Sequence, residues 1–76
     1  MTELEQVVAT VLELPRAAVD EQCGVANTAV WTSLRHVQLI VQLNRVYGVD
    51  ISAREARRLR SVGQIRTFLR AAGIKS

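Results

Sequence analysis

At 76 residues the chain supports one modest hydrophobic core and leaves no room for a deep catalytic cleft, since a domain of this size buries only about 60 to 65% of the surface its unfolded form exposes. Its 49% hydrophobic content is ample for that core, yet no apolar run approaches the roughly 18 residues that span a bilayer. The net charge of +3 is uneven, with a balance of −4 over residues 1–21 and +7 over the remainder, so the later part of the chain presents a salt-sensitive basic field suited to acidic partners or nucleic acid.

The opening residues read as a capped helix rather than a signal peptide, and the lone Cys23 does not suit a disulfide framework; together they predict a cytoplasmic protein. Thr2 and Glu5 have the spacing of a capping box, in which a hydroxyl accepts from an early backbone amide and a carboxylate returns to the cap. Leu4, Val7, Val8, Val11 and Leu12 then recur at helical spacing, and Pro15, which lacks an amide hydrogen, is the predicted stop. Residues 15–31 make a long connection. Leu14, Val19, Val25, Val30 and Trp31 offer it apolar anchors, so it is predicted to be ordered. Cys23 has no evident acid or base partner and reads as a loop-packing residue.

The stretch from Val30 to Tyr47 is the centre of the chain. Thr32 is the predicted N-cap of a long helix, Ser33 lies in its first turn, and Gly48 is its stop. At about 100° per residue, Arg35, Gln38, Gln42 and Arg45 fall in one narrow polar stripe on an otherwise apolar circumference. That pattern predicts a central helix with one ridge facing water. After a short link, Ser52 with Glu55 forms a second capping box that opens a short helix through Ala56, Leu59 and Arg60. Ser61 with Gln64 forms a third, opening a last helix through Val62, Ile65, Phe68 and Leu69 to Gly73. No strand-like alternation appears, so the predicted class is all-α, one domain over residues 1–76.

Catalytic and metal motifs are sparse. One histidine and one cysteine cannot assemble a zinc site of the usual spacing, and there is no glycine-rich phosphate loop. Ser33 and His36 lie three apart, but nothing evident orients the imidazole, so His36 reads as a boundary residue packing against the loop and not as a base. Ser33 is more informative. The unpaired amides and positive dipole end at a helix start favour a negative group attached there, such as a phosphate ester. The plainer alternative is an ordinary first-turn serine.

Ser33, Leu34, Val37, Leu39, Ile40, Leu43, Tyr47, Gly48, Ile51, Ala56, Leu59, Val62 and Ile65 together resemble the acyl carrier protein family. The resemblance covers almost the whole chain and preserves the spacing from the serine to the aromatic before the glycine and on to the last helix. It implies a four-helix bundle with a short third helix and a long first loop. It also implies that Ser33 receives a 4′-phosphopantetheine arm from coenzyme A, added by a separate phosphopantetheinyl transferase with magnesium. Acyl thioesters would ride on that arm while loading, synthase or transferase enzymes act on them, the chain itself being non-catalytic.

The same resemblance makes the long helix the face that partners read, with Thr32, Leu34, Arg35, Gln38, Gln42 and Arg45 as candidates and Ala56 and Leu59 nearby. Two departures stand out. The family usually has aspartate before the serine where this chain has Thr32, which still caps but carries no charge. Family members are also commonly acidic along this helix, whereas here Arg35 and Arg45 predict acidic or neutral partner surfaces. Trp31 and His36 look like a subgroup of discrete carriers, which implies polyketide, fatty-acid-like or other specialised biosynthesis; the start at Met1 with a capped helix favours a free-standing carrier over a domain cut from a larger synthase, and a monomer is the expected state for a carrier that meets several enzymes in turn.

Three alternatives remain at this level: a peptidyl or aminoacyl carrier, a carrier-like scaffold that is never modified, and a small basic nucleic-acid-binding domain built on Arg54, Arg57, Arg58, Arg60, Arg66 and Arg70. Against the last, the long helix is too apolar for a recognition helix, and three scattered aromatics make no stacking platform. No nucleic-acid or membrane partner is therefore predicted.

Overall fold

The structure, a computed structural model, describes residues 3–75. Its elements are α1 (Leu4–Leu12), a 3-10 turn (Arg16–Ala18), α2 (Ser33–Tyr47), α3 (Ala53–Arg58) and α4 (Val62–Ala71), with no strand among the described residues. The all-α class follows, and among the described residues no helix is long and apolar enough to cross a membrane.

Helix boundaries depart from the sequence reading in instructive ways. Thr2 lies outside the described residues, and the N-cap position of α1 falls to Glu3, whose side chain makes no capping bond. The helix stops before Pro15. Glu13 takes a left-handed conformation (φ 56°), and the N–H groups of Glu13 and Leu14 bond back to the carbonyls of Thr10 and Ala9, closing a Schellman turn on a residue other than glycine. Thr32 caps α2 by accepting from the Arg35 N–H at 3.3 Å, and Gly48 (φ 67°) ends it. The Ser52–Glu55 box is complete. At Ser61 only half of the predicted box forms: its hydroxyl accepts from the Gln64 N–H, while the Gln64 side-chain Oε1 accepts instead from the Arg60 N–H at 2.8 Å. Gly73 (φ 83°) closes α4 as read.

Leu4, Val8 and Leu12 of α1, Leu39 and Leu43 of α2, and Val62, Ile65 and Leu69 of α4 have almost no exposed surface and form the core, to which Ile51 and Leu59 add from the links around α3. Every buried residue among those described is apolar. Residues 15–31 are ordered by Val19, Cys23 and Trp31, all buried, whereas the predicted anchor Val30 is 39% exposed. Cys23 packs as expected, its Sγ 3.2 Å from the Thr28 hydroxyl.

The loop is clasped to the corner between α3 and α4 by backbone bonds: Val25 N–H to Arg60 O, Val62 N–H to Cys23 O, and Gly63 N–H to Glu21 O. Gly24 sits at the closest point, where an added Cβ would lie 2.5 Å from the Arg60 carbonyl oxygen. Arg66 of α4 closes the other side, pairing with Glu5 of α1 and Glu21 of the loop. Burial pushes the Glu5 carboxyl up, but the hydrogen bond and charge of Arg66 outweigh it and hold the group below its ordinary value.

Two predictions follow from this packing. Gly24→Ala, which drives a methyl into backbone, is expected to destabilise by about 1 to 3 kcal/mol, more than Gly48→Ala, which strains φ alone with nothing within 4 Å and costs about 1 kcal/mol; urea unfolding ranks the two. Because the Glu5 carboxyl is depressed in the fold, its contribution is present above the ordinary glutamate range and is lost as pH falls through the lowered value. The stability gap between wild type and Glu5→Gln should therefore shrink from about pH 6 to about pH 3; a gap that widens towards acid contradicts the pairing.

Candidate functional site

Ser33 is exposed as the first residue of the longest helix, directly after its Thr32 cap. What fixes its surroundings is a histidine one turn on. The Trp31 indole N–H donates to His36 Nδ1 at 3.0 Å, and His36 Nε2 lies 2.7 Å from the Ala56 carbonyl oxygen. An indole only donates and a carbonyl only accepts, so Nδ1 is the bare nitrogen and Nε2 carries the proton. The ring thus ties the loop, α2 and α3 together. Its role exceeds that of the boundary residue predicted, and neither nitrogen is left to take a proton from Ser33.

Ser33 opens onto a depression of about 500 Å³ that is also lined by Trp31, Thr32, His36, Arg57 and Arg60. A smaller groove of about 300 Å³ continues between α2 and α3, lined mainly by Val37, Ile40, Val41, Ile51 and Ala56; His36, Val37 and Arg57 border both. The site therefore joins a hydroxyl, two guanidinium groups and an adjoining apolar groove. Among the described residues no carboxylate lines the depression.

The remaining predicted residues divide. Leu34 is 67% exposed, Gln38 one turn on is exposed at the edge of the groove against α1, and Arg45 is exposed near the other end of α2. Gln42 is half-buried and borders a separate groove against Gln6, Thr10 and Val11 of α1. Arg35 is not a free partner contact: it donates to the Val11 carbonyl at 2.6 Å and pairs with Glu13 at 2.9 Å, satisfying a carbonyl left open at the end of α1. Leu59, 5% exposed, is a core residue at the end of α3, and Ala56 is half-buried with its carbonyl engaged by His36.

The single water-facing ridge needs correction. Besides the polar stripe, α2 exposes Val37 (60%) and Val41 (50%), which with Leu34 form an apolar ridge running away from Ser33. Helical periodicity had placed these valines in a broad apolar sector read as buried. The chain has too few elements to cover that sector: α3 is six residues long, and the open groove between it and α2 leaves Val37 and Val41 half or more exposed. Pattern alone holds no signal for which apolar residues lack a neighbour.

No protein-family model matches the chain, and no curated protein matches it.

His36→Phe keeps the shape of the ring but removes the acceptor for the indole and the donor to Ala56, and is expected to lower stability by about 1 to 2 kcal/mol. Val41→Asp, on the exposed ridge, is expected to change it by less than about 0.5 kcal/mol. Urea titrations read by Trp31 fluorescence measure both, and equal effects would contradict the assignment of one as a tie and the other as surface.

Proposed function

We propose that the chain is a non-catalytic carrier, with an acyl-carrier-like bundle and a 4′-phosphopantetheine arm on Ser33. The observation that carries the reading is an exposed serine opening the longest helix, beside a positive depression free of carboxylates. The residues fit the group. Ser33 is exposed, the positive end of the α2 dipole favours a negative group attached there, and the groove between α2 and α3 offers apolar surface next to it. The arm supplies a flexible tether ending in a thiol that carries acyl groups as thioesters.

In this reading a phosphopantetheinyl transferase adds the arm from coenzyme A, and loading and synthase enzymes dock on the exposed face of α2. Leu34, Val37 and Val41 give that face its apolar contact, with Gln38 and Arg45 at its edge. Because Arg35 is engaged with α1, Arg45 is the basic group on the helix left to meet an acidic partner surface. The protein works as a cytoplasmic monomer, meeting its enzymes one at a time.

A second reading, nucleic-acid binding, draws on Arg54, Arg57 and Arg58 of α3, which have no acid partner among the described residues. It predicts affinity for random DNA that falls steeply with salt.

Incubation with coenzyme A, magnesium and a broad-specificity transferase, followed by intact mass, tests the carrier reading. Wild type is expected to gain one phosphopantetheine and Ser33→Ala none. An unchanged wild-type mass, or an equal gain in Ser33→Ala, overturns it.

A further inference from the structure

We infer that Arg57 and Arg60 form an anion site beside Ser33 that holds a phosphate esterified to the Ser33 hydroxyl. The inference rests on the reading that Ser33 carries a phosphate ester, and it assigns that ester a binding partner within the chain.

The charge distribution singles out these two residues. Arg16, Arg35 and Arg66 are each paired with glutamates, and those pairs occupy Glu3, Glu5, Glu13 and Glu21. The Asp20 carboxylate accepts from the Gln22 and Cys23 N–H groups, and Glu55 is held in the α3 capping box. Arg57 and Arg60 have no acid partner among the described residues, and they are the two cations that line the depression containing Ser33. Arg45 and Arg54, which also have no acid partner among the described residues, lie outside that depression.

Their backbones are also fixed relative to the serine. His36, on the same helix as Ser33, holds the carbonyl of Ala56, the residue before Arg57. Arg60 is held at both backbone groups: its carbonyl accepts from Val25 and its N–H donates to Gln64. Two planar guanidinium groups lining the same depression as the Ser33 hydroxyl match the several acceptor oxygens of a phosphate better than a single cation does. Thr32 adds no competing negative charge at the cap.

The test does not require the transferase. The chain is assembled by ligating a thioester of residues 1–22 to a synthetic segment beginning at Cys23 and carrying phosphoserine at position 33, and the 31P resonance is followed with pH. At low salt the phosphoserine in the wild-type background should lose its second proton about 0.3 to 1 pH unit below the same group in Arg57→Gln/Arg60→Gln. Roughly 0.5 M salt should remove most of that difference, and Arg57→Lys/Arg60→Lys should restore part of it. Trp31 emission and circular dichroism confirm that each variant is folded. Coincident midpoints in the folded arginine and glutamine proteins overturn the anion site while leaving the carrier reading intact. A chain that shows the shift but gains no mass with transferase and coenzyme A keeps the anion site and overturns the carrier reading.

Discussion

The arrangement around Ser33 depends on one imidazole whose two nitrogens face different parts of the chain. Trp31 closes the long loop and donates to His36 from one side, and Ala56 of α3 accepts from the other. Loop, central helix and short helix are thereby held by a single side chain that can satisfy both partners in only one tautomer. A six-residue helix has little intrinsic stability, so α3 needs such external ties. Through this contact the groove beside α2 acquires its far wall and Arg57 its position.

The electrostatics divide along the same line. In the acidic opening third of the chain, Glu5, Glu13 and Glu21 each face an arginine from a later element, joining α1 to α2 and the loop to α4. Most of these pairs are exposed, and individually they contribute little; Arg66, with 12% of its side chain exposed and two carboxylates around it, is the exception in geometry. Their collective effect is on where charge is left over. With Glu5, Glu13 and Glu21 drawn into these pairs, Arg57 and Arg60 beside Ser33 keep their charge without an acid partner among the described residues. On the proposed carrier reading, this polarity calls for acidic or neutral partner surfaces.

Much of the fold was legible because it is written in local chemistry. Thr32, Ser52 and Ser61 accept from the amides expected of caps, and Gly48 and Gly73 take the left-handed conformation at their helix ends. Glu13 was missed because a left-handed turn on glutamate has no compositional mark, and Pro15 drew the boundary towards itself. The engagement of Arg35 with α1 was not legible for a related reason: its partners, Val11 and Glu13, are more than twenty residues away. At the site, the exposure of Ser33 followed from its place after a cap, whereas the Trp31–His36–Ala56 tie and the grouping of Arg57 and Arg60 with Ser33 required tertiary contacts. The exposure of Val37 and Val41 is likewise a property of what the small bundle fails to cover.

His36 holds three elements in register through a fixed ring geometry. Nitrogen-15 NMR of the His36 side chain tests it most directly. The account predicts a single tautomer, protonated at Nε2 and bare at Nδ1, with the Trp31 indole proton protected from exchange. A ring protonated at Nδ1, or one averaging between tautomers beside a freely exchanging indole, would contradict it.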